Sequence, residues 1–319
     1  FVANAGNNSS GYQSVNSLYN NNGDGTFTKI LSGEIVTDAG NSNGVSWSDY
    51  DNDGYLDLFV SNYNNSNFLY NNNGDGTFTK IIEGEIVTDG GSTMGSTWGD
   101  CDNDGDLDLF VSNNGQPNQF YNNNGDGTFT KILNGDMIIE AFHNWGAKGA
   151  SWGDYDNDGD LDLFEASYPN NYLFVNSGNN NSYINIKLEG TQIIGSKVSV
   201  TAKINGNIVT QLNQVSGQTG RASQNSLNCE FGLGDATIIE EIKVEWPTGE
   251  VQYLNNQPVN EFITIAFIAI GCTDSEACNF NAAATNDDGS CIYSDENFDC
   301  DGNCLVEVDC LGECGGSAF

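Results

Sequence analysis

Positive charge is nearly absent from this chain: 9 Lys and Arg stand against 44 Asp and Glu, for a net charge of −35. A field of that sign repels phosphate, which excludes nucleic acid and anionic lipid surfaces as partners. Histidine is reduced to His143, so a histidine-based triad or a histidine-rich metal site has almost no material. Long apolar runs are missing too. The longest, Phe262 to Ile270, falls far short of the roughly 18–20 residues that a membrane-spanning helix needs. Only 4 Pro accompany 39 Gly, and Asn recurs throughout, yet 38% of the residues are apolar and 11% aromatic. That composition describes a turn-rich β protein with a core rather than a disordered chain.

What the chain has is repetition. Asn-Asn-Asn-Gly-Asp-Gly-Thr-Phe-Thr-Lys-Ile occurs at 20–30, 71–81 and 122–132. A second phrase, Trp-x-Asp-x-Asp-Asn-Asp-Gly-x-Leu-Asp-Leu-Phe, starts at Trp47, Trp98 and Trp152, a period near 50 that fits one propeller blade or one solenoid unit. Within a unit the alternation of apolar and polar residues predicts four short strands, at Gly44–Trp47, Leu56–Val60, Asn67–Tyr70 and Thr77–Ile82 in the best-defined copy. No segment sustains a 3.6-residue apolar period, so the fold class is all-β. Residues 1–180 amount to about three and a half blades of a partial β-propeller. Phe1–Ile30 supplies strands two to four of a first unit without an aspartate loop, and the last unit runs from about Gly149 to Val175. A closed ring needs at least four blades and an open arc exposes sheet edges, so further blades are expected N-terminal to Phe1.

Near residue 180 the pattern changes. Tyr183–Leu188, Lys197–Ile204, Asn207–Leu212, Ile238–Trp246 and Phe262–Phe267 alternate like strands, which predicts a second, sandwich-like β domain over 181–270. The tail, 271–319, has little apolar content and must fold around cysteines or ions.

Half of the 28 Asp fall in three clusters of the form Asp-x-Asp-x-Asp-Gly-x-x-Asp. The first uses Asp49, Asp51, Asp53 and Asp57; the second Asp100, Asp102, Asp104 and Asp108; the third Asp154, Asp156, Asp158 and Asp162. Carboxylates at positions 1, 3 and 5 of a tight loop converge on one point, and Gly54, Gly105 and Gly159 permit the sharp turn. Position 7 offers a backbone carbonyl, from Tyr55, Asp106 or Asp160, and the Asp at position 9 closes the shell. Hard oxygen ligands in that number suit Ca²⁺, with Mg²⁺ second. Position 12 is Val60, Val111 or Glu165 rather than the Glu of an EF-hand, and the flanking elements are strands. Calcium is therefore expected to brace strands rather than to open helices.

Other candidates have plainer readings. Asp24, Asp75 and Asp126 each bring one carboxylate, too few for an ion, and read as hairpin turns. Trp47, Trp98 and Trp152 either stack on sugars or anchor the core between blades, and a repeated position before a loop favours the anchor. Seven of the nine Cys lie after residue 270. Cys300-x3-Cys304 and Cys310-x3-Cys314 have zinc-like spacing, but the acidic setting and missing histidines favour disulfides, with one cysteine left over. Asp295, Asp299 and Asp301 are candidates for a weak calcium site. Cys101 and Cys229 read as lone buried thiols, His143 as part of an aromatic loop with Phe142 and Trp145, and Arg221 as a surface ion pair or a contact for an anionic sugar.

These motifs carry a resemblance. Residues 1–180 resemble the FG-GAP or VCBS repeats of integrin α-chain-like β-propellers, whose Asp-x-Asp-x-Asp-Gly-x-x-Asp loops bind calcium. Tyr183-Ile-Asn-Ile-Lys-Leu-Glu-Gly190, Phe231-Gly-Leu-Gly234 and Val244-Glu-Trp-Pro-Thr-Gly249 resemble the ASPIC/UnbV domain. That order is similar to cartilage acidic protein-like secreted proteins of Bacteroidetes, and the tail resembles their Cys-rich repeats. The resemblance implies a secreted or cell-surface calcium-binding protein with a non-catalytic binding or adhesion role toward an extracellular protein or glycan. The alternatives are a polysaccharide-acting enzyme or accessory subunit, and a structural spacer for another domain.

Overall fold

The computed structural model describes residues 1–5, 14–139, 147–190, 192–221, 223–282 and 284–317. The chain divides into two compact units, Phe1–Ile265 and Ala266–Phe319.

The first unit is built of antiparallel sheets, as the alternation predicts. The copy best defined in sequence forms strands Ser42–Ser48, Asp57–Ser66, Phe68–Asn72 and Phe78–Ile81, with Trp47 opposite Leu58 and Leu58 opposite Tyr70. The next copy repeats this with Gly90–Gly99, Asp108–Asn113, Gln119–Asn123 and Phe129–Ile132. A third comprises Ala147–Gly153, Asp162–Ser167 and Tyr172–Phe174. Before them, short strands at Ser14–Val15, Tyr19–Asn21 and Phe27–Lys29 complete a partial β-propeller. Two copies share one hydrogen-bonded sheet, because the end of Asp57–Ser66 pairs with the start of Gly90–Gly99.

Three one-turn helices, Glu34–Thr37, Glu85–Thr88 and Asp136–Ile139, depart from the strand-only reading. A single turn is too short to show a helical period in sequence. Ile35 and Val36 pack with Leu58, Val60 and Tyr70 of the following copy, and Ile86 and Val87 with Leu109, Val111 and Tyr121. The residue that follows each of the first two turns is tied down in the same way: Asp38 takes the Tyr70 hydroxyl at 2.8 Å and Lys80 at 2.6 Å, and Asp89 takes Tyr121 and Lys131.

The tryptophans serve the core. Trp98 stacks on Tyr50 of the preceding loop, with ring centres 6.0 Å apart and planes 16° from parallel. Trp152 packs with Phe110, Phe120 and Cys101 of the copy before it. Trp47 differs: it is 39% exposed and leans on Phe78.

The region after residue 180 adds a three-stranded sheet, in the order Cys229–Gly234, Ser182–Glu189, Glu261–Ala266, and a four-stranded one, Asn207–Gln214, Lys197–Ile204, Ile239–Glu245, Val251–Gln257. Cys229–Gly234 and Val251–Gln257 escape the sequence reading, the first because its glycines mask the alternation and the second because it is mostly polar.

In the second unit, Cys272–Cys291, Cys278–Cys300 and Cys304–Cys314 are disulfides and Cys310 is free and exposed. This replaces the zinc alternative for the Cys300–Cys314 segment. Asp299 accepts from Asn303 through both carboxylate oxygens and from the Asp301 amide, so it closes a turn.

Candidate functional site

Each aspartate loop is a compact knot of its own hydrogen bonds. The Asp at position 1 accepts two backbone amides: Asp49 from Asp53 and Gly54, both at 3.0 Å; Asp100 from Asp104 and Gly105, at 3.1 and 2.9 Å; Asp154 from Asp158 and Gly159, at 3.1 and 3.0 Å. The Asp at position 5 receives the amide of position 7: Asp53 from Tyr55, Asp104 from Asp106, Asp158 from Asp160. The turn requires a left-handed backbone at positions 4 and 6, with φ of 56° and 90° at Asn52 and Gly54, 55° and 100° at Asn103 and Gly105, and 61° and 95° at Asn157 and Gly159. Asn tolerates that region and Gly occupies it freely, which explains Asn-Asp-Gly in every copy.

The Asp at position 9 stitches the loop to its sheet. Asp57 accepts the amides of Tyr50 and Asn72 at 3.2 and 2.7 Å. Asp108 does the same with Cys101 and Asn123, and Asp162 with Tyr155 and Asn176.

Three carboxylates of each loop offer oxygens within 4.8 Å of one another: Asp49, Asp51 and Asp53; Asp100, Asp102 and Asp108; Asp154, Asp156 and Asp162. Positions 1 and 3 belong to every trio, joined by position 5 in the first loop and position 9 in the other two. Asp57, Asp104 and Asp158 stand beside these trios. The Asp106 and Asp160 carboxylates turn outward to neighbouring loops, leaving the backbone of position 7, with that of Tyr55, as the part of the residue that belongs to the turn.

The donor set fits a hard divalent cation. Among the described residues none of these acids is paired with Lys or Arg. Burial, reinforced by the other carboxylates, pushes Asp49 up to about 7 and Asp108 to about 7; burial also lifts Asp57 to about 8 and Asp104 to about 6. Asp100, almost fully enclosed, is also raised well above the usual carboxylate range, by burial first and then by Asp108, Asp104 and Asp102. Crowded, desolvated carboxylates that resist ionisation are relieved by a cation among them. By contrast the hairpin acids Asp24, Asp75 and Asp126 are exposed, and each is held below the usual carboxylate range by the hydroxyl and amide of Thr26, Thr77 or Thr128. They are turns.

Asparagines link successive loops, a role the sequence phrase contained without revealing. Asn52 donates to the Gly105 carbonyl and to Asp106, both at 3.1 Å, and Asn103 to the Gly159 carbonyl and Asp160, at 3.2 and 2.7 Å. At the end of the third strand, Asn123 reaches the Tyr50 carbonyl at 2.8 Å and Asn176 the Cys101 carbonyl at 2.6 Å. Their repetition at a period near 50 was the available signal. The thiols stay protonated: Cys101 is half-buried and donates to Asp108 at 3.2 Å, and burial raises both it and Cys229. His143, Phe142 and Trp145 lie outside the described residues.

The later β region closes over the blades. The Gly234 amide donates to Asn103 O at 2.8 Å, and a Cβ at Gly232 would lie 2.0 Å from Asp100 Oδ2, so only glycine fits there. Asn225 accepts from Thr97 at 2.8 Å and from the Trp152 amide at 3.0 Å, and donates to the Trp98 carbonyl at 3.1 Å, joining two blades. Alongside lies a cleft of about 860 Å³, walled by the strand that carries Trp47, by Tyr55 of the first loop and by the 212–221 segment with Arg221.

A profile of FG-GAP-like repeats matches residues 1–60, 49–111 and 100–165, and one described as ASPIC and UnbV matches 188–269. Among curated proteins the chain is similar to cartilage acidic protein 1 of Homo sapiens, 26% identical over 258 residues, which is 74% of this chain and 38% of that protein. The Xenopus tropicalis counterpart is 24% identical over 306 residues, 88% of this chain and 46% of that protein. That of Mus musculus is 26% identical over 260 residues, 74% and 38% of the two chains. The chain thus spans less than half the length of the curated relatives it matches.

Proposed function

Because this chain belongs to the FG-GAP-like repeat family and carries an ASPIC and UnbV region behind its repeats, we propose that it is an extracellular, non-catalytic binding protein whose blades are braced by calcium. The observation that carries this reading is the convergence, three times over, of three carboxylates, at least one of them buried in each trio, with no Lys or Arg partner among the described residues. Asp49, Asp51 and Asp53, and the matching trios of the other loops, would hold the ion; a bound calcium supplies positive charge and oxygen coordination at the turn. The Asp at position 9 and the position-7 backbone complete the shell in this reading. Three disulfides in the tail support an oxidising, extracellular setting. The ligand is an extracellular protein or glycan.

The binding reading is preferred to the polysaccharide-acting one because glycoside hydrolysis needs a pair of carboxyl groups flanking its substrate, and the clustered loop acids are taken up by the proposed ion. The buried acids outside the loops are engaged elsewhere: Glu165 accepts from Asn118 at 3.0 Å inside the blade stack, and Glu230 sits on the strand beside Asp154.

Calcium titration of chelator-stripped protein, with melting curves at both ends, tests the reading. One ion per loop and a rise in Tm on the order of 10 °C are expected from ligand linkage. No uptake, or uptake without a change in melting, would refute calcium as a brace.

A further inference from the structure

The strand Cys229–Gly234 belongs to two contacts at once. Inside its own region it pairs with Ser182–Glu189, and it also lies against the second and third aspartate loops. Gly232 meets the second loop, where a Cβ would stand 2.0 Å from Asp100 Oδ2 and 2.3 Å from Asn103 Cα. Gly234 donates its amide to the Asn103 carbonyl at 2.8 Å. Two residues before Gly232, Glu230 takes the Asp154 amide of the third loop and the Ser226 hydroxyl. Tyr183, from the paired strand, covers Gly159, where a Cβ would lie 2.1 Å from the ring. Just ahead of the strand, the Ser226 amide donates to the Trp152 carbonyl at 3.1 Å. The first loop bonds instead to its own sheet and to the second loop.

This seam sets acid against acid. Asp100, Asp154 and Glu230 line one cavity of about 10 Å³, room for a single water, and no Lys or Arg is among the described residues around it. Backbone hydrogen bonds and close glycine packing draw the two sides together, while carboxylates away from bulk water repel with little screening. A divalent cation in each loop offsets two of the negative charges on the blade side. We propose that the seam is a calcium-controlled latch: the second β region seats on the blades when the second and third loops are loaded, and lifts away, still folded, when they are stripped. Glu230 makes the seam responsive, because a neutral side chain there would dock on either form. Gly232 and Gly234 make it possible, because they let the strand reach the loops. The two parts then close on each other only where calcium is abundant.

The latch rests on calcium uptake by the loops, and its test separates the two. Residue-resolved amide hydrogen exchange on the full chain, calcium-loaded and chelated, reads Ser226 and Gly234, whose amides bond across the seam. With calcium, both should be protected about as well as the ladders around Val200, in the second region, and Leu109, in a blade. After chelation they should exchange about tenfold to a hundredfold faster than those ladders, the signature of an opening short of unfolding. Glu230→Gln keeps an acceptor for the Asp154 amide but removes the charge, and should shrink that gap to about threefold or less. Should Glu230→Gln disturb folding, Asp156→Asn, at an exposed ligand of the third loop, provides a second reading and should open part of the gap even in calcium. Seam and ladders that change together in protein that binds calcium, or a gap that Glu230→Gln leaves intact, would overturn the latch while the brace stands. A chain that takes up no calcium would refute both.

Discussion

Asp100 and Asp154 hold the same position in loops of the same pattern, yet Asp100 is shut away beneath Gly232 and Asp154 stays half-exposed. The middle loop is also roofed by Asn181, which donates to the Asp102 carbonyl at 2.9 Å, and by the Gly234 amide on Asn103. The last loop has no such cover on Asp156 or Asp158, both exposed. Repetition fixes how each loop hydrogen-bonds to itself; the neighbouring region decides how much water each one loses. Calcium should matter most where water is least able to stand in for it.

The largest test of that difference is Asp100→Asn beside Asp154→Asn. Burial and the neighbouring acids disfavour the charged form of Asp100 when no ion is bound, so a neutral amide in its place should change the stability of the chelated protein by about 1 kcal/mol or less. With calcium present the same substitution should remove on the order of 3 kcal/mol, the linkage term of one site in large excess of ion. Asp154→Asn should lose less than half of that, because water replaces the missing ligand at an open loop. Denaturant unfolding with and without calcium measures both; equal losses at the two positions would refute the dependence on burial.

A second effect, smaller and shared by all loops, concerns pH. Asp49 and Asp108 titrate at about 7 and Asp57 at about 8 in the folded protein, against about 3.9 for an unfolded Asp. Between about pH 4 and 8 the folded, ion-free chain therefore holds more protons than the unfolded one, and its stability falls as pH rises through that window. Chelated protein should melt several degrees higher near pH 5 than near pH 8. Calcium displaces those protons, so the loaded protein should show the reverse order. A chelated protein whose melting temperature climbs with pH would contradict the raised carboxyl values.

Much of this is legible in the sequence. The fold class and the loops follow from alternation and from a period near 50, and the hairpins from Asn-Gly-Asp-Gly. What stayed hidden depends on register between distant segments. Asn225 meets Thr97 and Trp98 across 128 and 127 residues, and no local pattern marks it. Arg221 reads in sequence as a surface ion pair, whereas the fold sets it against Gly44, Gly95 and the Met94 sulfur, with no ion pair among the described residues. Trp47 reads as equivalent to Trp98 and Trp152, but Trp98 stacks on the Tyr50 of the loop before it and Trp152 packs on Cys101, a contact Trp47 lacks among the described residues. A repeat records what each unit does for itself and leaves out what its position in the row adds.

The smallest effect isolates that positional contribution. Asn52, Asn103 and Asn157 share a left-handed backbone, so Gly can replace each without strain and only the side chain is tested. Asn52 and Asn103 each bond the following loop twice, while Asn157 is exposed at the end of the described series of loops. Asn52→Gly and Asn103→Gly should each cost about 1–2 kcal/mol in calcium, the net worth of half-buried bonds to a carbonyl and a carboxylate. Asn157→Gly should stay within about 0.5 kcal/mol of the parent. If the loops are linked as the distances indicate, Asn52→Gly should also weaken calcium binding at the second loop, since it frees Asp106 and the Gly105 carbonyl from the turn that precedes them. Calcium titration of the three variants side by side would show whether the loops act as separate braces or as a coupled row, and identical binding curves for all three would establish that they are separate.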